Sequence, residues 1–274
     1  MRNWLTGAAI ALVSIGGTIA ISQMMRSPVE GRAPDVNVLR TADGKPDLNG
    51  IWQAVGSANW NLLDHQARSG PVLELGAVLA VPAGLSVVEG NEIPYQPWAA
   101  AKQKENYENW LSRDPEVKCY LPGIPRATYM PHPFQILQTA SNDILMAYEY
   151  ASTNRVINMG KPQEAAVDTW MGTANGRWEG ETLVVDNTGF NDLSWFDRAG
   201  DFHSDALHVV ERYTRSGPDH ITYEATIEDP QVFTRPWKIS MPLYRRVEKN
   251  AQLGEFKCVE YSEELLYGDL RKKK

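Results

Sequence analysis

Apolar and polar positions alternate most regularly near the end of the chain. Ile221, Tyr223, Ala225 and Ile227 interleave with His220, Thr222, Glu224 and Thr226, and Trp237, Ile239, Met241 and Leu243 repeat the pattern. A period of two places successive side chains on opposite faces, which is the mark of a half-buried strand. The same pattern predicts strands over Phe134 to Gln138, Ile144 to Tyr150, Arg155 to Met159 and Ala206 to Tyr213. Arg177 to Asp186 reads as a hairpin turning at Glu179-Gly180, with Leu183 to Val185 as a buried strand. Gly50-Ile51-Trp52 enters a first strand, and Phe256 to Tyr261 offers a last one. A helical pattern is predicted over Pro97 to Leu111, where a first-turn proline precedes alanines and lysines and Trp98, Tyr107, Trp110 and Leu111 share a face. Asn59 to Glu92 is loop, and Cys119 to Phe134 is too rich in proline for a helix.

Nine or ten short strands, regular turns and almost no helix define an all-β class. The expected fold is an antiparallel lipocalin-like barrel or strongly curved sheet with one helical insertion. A two-sheet sandwich or jelly roll is the alternative, and no fixed repeat supports a propeller. In a lipocalin-like barrel Trp52 would close the floor while Gly50 allows close backbone approach.

The N-terminus changes the picture of where this domain works. Arg2 precedes an uncharged apolar run from Trp4 to Ile21 that ends in Ala20-Ile21-Ser22, as in a secretory signal or an N-terminal membrane anchor. The predicted organisation is signal or anchor over 1–22, tether over 23–45, one barrel-like domain over 46–265 and a charged tail over 266–274. Export to the periplasm or beyond makes a disulfide between Cys119 and Cys258, the only two cysteines, the expected pairing, with two free thiols as the alternative.

A hydrophobic content of 43%, a charged content of 22% and a net charge of −7 describe a folded domain without the basic stripe that nucleic acid requires. Membrane contact is expected only through the N-terminal segment.

The richest chemistry lies between Trp170 and Tyr213. Asp197-Arg198, His203, Asp205 and His208 fall within twelve residues. A histidine oriented by a carboxylate serves as a base, and an arginine balances negative charge developing on a substrate. If Ala206 to Tyr213 is a strand, His208, Val210 and Arg212 share one face and Leu207, Val209 and Glu211 the other, so these groups do not all enter one cavity. His203 and Asp205 could still meet His208 at a barrel mouth. Trp170, Trp178, Trp195, Phe196, Tyr148 and Tyr150 surround the cluster in sequence and would favour a flat apolar ligand, with His132 as a third histidine at the mouth. Phe190 to Ser204 is a polar loop long enough to suggest function. No nucleophile elbow and no glycine-rich phosphate loop are present, so neither nucleophilic hydrolysis nor a nucleotide cofactor is expected.

The phrases CYLPGIPR, PHPFQI, GRWEGETLVVDNTGFND, HSDALHVVERYTR and YEATIEDP resemble motifs shared by a group of secreted bacterial proteins of unknown function. The resemblance runs from Cys119 to Trp237 and implies a common fold and an extracytoplasmic setting. From residue types, the expected function is cofactor-independent acid/base chemistry, such as elimination, isomerisation or ring opening, on a small hydrophobic, aromatic substrate. His203 or His208 would be the base, Asp205 or Asp197 its partner, and Arg198 the charge stabiliser. The alternatives are a non-catalytic lipocalin-like binding protein, and a metal-dependent hydrolase or oxygenase using His203, Asp205 and His208.

Overall fold

The computed structural model describes residues 39–70, 77, 80–139 and 142–260. The predicted signal or anchor, most of the tether and the charged tail lie outside the described residues.

Nine strands close into a barrel in sequence order: β1 (Gly50–Ala54), β2 (Phe134–Gln138), β3 (Ile144–Tyr148), β4 (Asn154–Asn158), β5 (Thr173–Glu179), β6 (Thr182–Thr188), β7 (His208–Gly217), β8 (His220–Glu228) and β9 (Trp237–Arg245). β1 pairs with β9 to complete the ring. Neighbours are antiparallel except β4 and β5, which run parallel with Ile157 opposite Ala174 and Asn158 opposite Asn175. Glycine makes that joint possible: a Cβ on Gly176 would lie 2.5 Å from a methyl of Ile157 and 2.3 Å from Met159 Sδ. The β5–β6 hairpin turns at Gly180 (φ 59°) and Glu181, one residue later than expected, because Glu179 still pairs with Thr182.

The long strands carry the predicted alternation. β7 buries Val209, Glu211, Tyr213 and Arg215, while β8 buries Ile221, Tyr223, Ala225 and Ile227. Trp52 of β1 belongs to the buried core. It is fully buried, its indole N–H donates to the Leu48 carbonyl at 2.9 Å, and the Arg215 guanidinium lies 5.3 Å from its ring.

Three expectations are corrected. The proline-rich stretch does hold one helical turn, Arg126–Tyr129, which starts directly after Pro125. Residues 256–259 form no strand; Phe256 packs between His132 and Tyr150, with ring centroids 5.1 and 4.7 Å away, and Cys258 is joined to Cys119. Their apolar character reflects docking onto the barrel, and no neighbouring strand is needed to satisfy it. The helical insertion breaks at Asn109 into α1 (Pro97–Glu108) and α2 (Trp110–Arg113), and Trp98 is 56% exposed. α1 buries Ala99 and Asn106, seven residues apart. It sits backbone to backbone on Gly200, where a Cβ would meet Asn106 Cβ and the Tyr107 nitrogen at 2.7 Å. Its polar side chains satisfy that loop: Gln103 donates to the Ala199 carbonyl at 2.6 Å and Asn106 to that of Gly200 at 3.2 Å.

The middle of the barrel holds polar side chains. Arg155 of β4 grips Glu211 of β7 through two bonds of 2.7 and 3.1 Å and also donates to Asn187 at 2.9 Å. The hydroxyls of Tyr213 and Tyr223 donate to Glu211 at 2.9 and 2.8 Å, and Tyr148 accepts from Arg155 Nε at 3.0 Å. Every charge is thus matched inside a wall of apolar residues, which is the condition for burying an ion pair at tolerable cost.

Candidate functional site

One end of the barrel is closed by the segment read as a mouth loop. Phe190, Ser194, Trp195, Phe196, Asp197, Ala199, Asp201 and His203 are all buried, and a bridge between Trp195 and Phe202 ties its ends. This burial separates the predicted histidines. His203 lies inside, 2% exposed, with Nδ1 2.8 Å from the Ser204 carbonyl and Nε2 2.7 Å from Ser194 Oγ. His208 lies on the outer face of β7 between Asp186 of β6 and Glu228 of β8, at 3.1 and 3.3 Å. Asp205 is exposed and accepts from Gln231 at 3.4 Å. His203, Asp205 and His208 therefore face three different environments. Among the described residues no three His, Cys, Asp or Glu side chains are grouped to hold a metal ion.

Asp197 and Arg198 also part. Asp197 turns inward, accepting from the backbone N–H of Leu62 at 2.9 Å and of Asp201 at 3.2 Å. Burial and the neighbouring Asp201 carboxylate push its carboxyl well above the usual range, and burial also raises Asp201. Tyr95 donates its hydroxyl to Asp201 at 2.8 Å. With both carboxyls raised in a dry interior, the two hold one proton between them as a pair. Arg198 turns the other way, binding both oxygens of Glu116 at 2.7 and 2.8 Å and lying 4.5 Å from the Trp60 ring. Arg126, fully buried, takes Glu116 at 2.8 Å and Asp114 through two bonds of 2.9 and 3.0 Å. Burial alone would raise the Glu116 carboxyl, but Arg198 and Arg126 outweigh it and hold it at about 2.

The shared proton gives a pH prediction. A carboxyl whose folded pKa exceeds its unfolded value of about 3.9 binds the proton more tightly when folded. Its contribution is complete below about pH 4 and is lost as pH rises through the folded pKa. Asp201→Asn replaces the shared proton with an amide N–H pointing at Asp197, which can then ionise. The variant should lose less stability than the parent between pH 5 and pH 8 in urea unfolding. An identical decline in both proteins would rule out the shared proton.

The predicted aromatic set is scattered too. Trp170 packs against Tyr120 at a tilt, with centroids 5.1 Å apart, Trp195 and Phe196 are core, and Tyr148 belongs to the Arg155 cluster. Trp178 lines a pocket of about 570 Å³ where the β2–β3 and β5–β6 hairpins turn, with Ile144, Met159 and the polar segment Thr41 to Lys45. His132 bonds Glu149 at 3.1 Å and, with Tyr150 and Phe256, borders a pocket of about 190 Å³ that reaches Glu116 and Arg198.

A mostly apolar pocket of about 580 Å³ lies outside every sequence-based expectation. It opens where β9 changes partners. β1 pairs with β9 only at Leu243 to Arg245, while Val87 and Val88 pair with it at Ser240 and Ile239. Pro242, with no N–H to give, stands between the two. Ala54, Val55, Ala58, Leu85, Val87 and Met241 line the gap, with Tyr129 among the lining residues. Tyr129 donates its hydroxyl to the Phe196 carbonyl at 2.9 Å. In the wall formed by Ser57 and Gly84, Ser57 Oγ fills the space a side chain at 84 would take, with His65 beside it. His65 Nδ1 donates to the Leu63 carbonyl at 2.7 Å, and its Nε2 is buried without a partner. Sequence offered one clue, Pro242 inside an alternating strand. The segment 82–87 that supplies the opposite wall has no periodicity to announce it.

No family model matches the chain, and neither a curated protein nor a solved structure matches it.

Proposed function

We propose that this chain, a closed nine-stranded barrel joined to its C-terminal segment by the Cys119–Cys258 disulfide, binds a small apolar molecule in the pocket beside Pro242. The observation that carries the reading is that pocket's size and lining. Small-molecule sites are typically about 300–1,000 Å³, mostly apolar, with few polar groups to orient the ligand. The central ion-pair cluster leaves less reason to look for a ligand in the barrel's middle. Val55 and Leu85, 72% and 87% exposed at the rim, are apolar surface that a ligand would cover. The disulfide is compatible with an oxidising compartment, which supports an extracytoplasmic carrier or sensor.

The test uses N-phenyl-1-naphthylamine, whose fluorescence rises in apolar surroundings. It should bind the parent protein, and Leu85→Asp should weaken binding about ten- to hundredfold, the worth of one lost leucine contact of about 1.5–3 kcal/mol. Leu85 is exposed, so folding should be unchanged by circular dichroism. Equal affinity in parent and variant would sink the assignment.

A further inference from the structure

Outside that pocket, the contact between Ser194 and His203 has a chemistry of its own. A carbonyl only accepts, so the bond to Ser204 fixes the proton of His203 on Nδ1. Burial lowers the pKa of the imidazole and keeps it neutral, leaving Nε2 as a lone pair. The Ser194 hydroxyl must then donate to Nε2, at 2.7 Å. A serine bonded to the free nitrogen of a histidine whose other nitrogen is anchored is the arrangement that activates a nucleophile. The carboxylates of Asp229 and Asp192 act on this ring in the direction that favours its protonated form. They would stabilise the imidazolium created by proton transfer.

The surroundings favour an apolar acyl group. Phe196 and Phe190 flank His203 at 5.3 and 6.2 Å. Ser194 itself is 3% exposed, yet the adjacent Leu193 is 51% exposed. Gly123, at φ 72°, lies over the hydroxyl: a Cβ there would stand 2.3 Å from Ser194 Oγ and 3.3 Å from the Trp170 carbonyl. Only glycine leaves Oγ unblocked on that side. Above it are Trp170 and Tyr120, packed against each other at a tilt of 54°, the latter 47% exposed.

We infer that Ser194 is a nucleophile and His203 its base, acting on small carboxylic esters with an apolar acyl group that enter beneath the Tyr120–Trp170 pair. Ser194 Oγ attacks the ester carbonyl carbon while its proton passes to His203 Nε2. The bond from that carbon to the alcohol oxygen breaks as His203 returns the proton to the departing alcohol. Water then attacks the acyl-serine with His203 again as base, releasing the acid and restoring Ser194. The sum is ester plus water to acid plus alcohol, with no other reactant.

Diisopropyl fluorophosphate, small and serine-directed, is the probe, and the readout is the mass of the peptide carrying Ser194. Labelling is expected at Ser194, absent in Ser194→Ala and slowed at least a hundredfold in His203→Gln. Trp170→Ala should speed it several-fold by thinning the cover. The parent's labelling rate should rise with pH as His203 loses its proton, below pH 6.5, which tests the base without altering the fold. A folded parent and a folded Trp170→Ala variant that both stay unlabelled would overturn the inference, as would labelling whose rate ignores both pH and His203. Leu85→Asp should leave the labelling unchanged, which keeps this test separate from the wall pocket.

Discussion

Arg155→Met is expected to destabilise the barrel by about 3–5 kcal/mol, the usual cost of leaving one member of a buried ion pair uncompensated. Glu211 is fully buried and accepts from Arg155, Asn187, Tyr213 and Tyr223. Without the guanidinium its charge has only neutral donors in a medium of low polarity, so it must either stay charged at high cost or take up a proton. At about 2–4 °C per kcal/mol for a domain of this size, thermal unfolding should fall by about 6–20 °C. The double variant Arg155→Met/Glu211→Leu removes both charges and should recover part of the loss. Recovery stays incomplete because Asn187 and the hydroxyls of Tyr148, Tyr213 and Tyr223 lose their partners. Thermal unfolding of parent, single and double variants decides it. A single-variant loss below about 1 kcal/mol would mean that water reaches Glu211 and the pair is not dry.

Cys258→Ser is expected to cost about 2–5 kcal/mol, and the same shift should follow reduction of the parent. The bridge joins residues 139 apart, and closing a loop of that length in the unfolded chain is worth about 5 kcal/mol in the chain-entropy model. The measured value should lie toward the lower end. Without the bond, the segment around Gly254 and Phe256 keeps one backbone bond to Glu149, at 2.7 Å, and the packing of Phe256. It can then peel away, and the folded state regains part of the freedom that the unfolded state gains. Urea midpoints with and without dithiothreitol would show this, and no shift in either case would remove the disulfide from the list of stabilising features.

The barrel was legible in the sequence because period-two alternation survives wherever one face of a strand is buried and the other is not. β7 shows this residue by residue: His208 and Arg212 face outward and Glu211 inward, as the alternation requires. The partner of Glu211 was not legible. Arg155 lies 56 residues away on a strand whose other inward residue is apolar, and one arginine in a short strand carries no mark of its direction. The segment from Phe190 to Ser204 is the loop its composition indicates, but composition carries no sign of burial: Asp197, Asp201 and His203 are polar yet buried, each matched to a backbone or side-chain partner. Ser194 was missed for a similar reason. Its relation to His203, nine residues on, depends on the bend between them and follows no helical or strand spacing.

The parallel joint between β4 and β5 has a further meaning. Strands that alternate up and down around a ring return to their starting direction only if their number is even, so a ring of nine must contain a place where two neighbours point the same way. Parity therefore divides the wall into two arcs, β1 to β4 and β5 to β9. Their inner join is held by two residue pairs, against nine between β7 and β8. The barrel is in this sense a clasped band with a buckle, and its cheapest opening motion is to undo the buckle and leave both arcs intact.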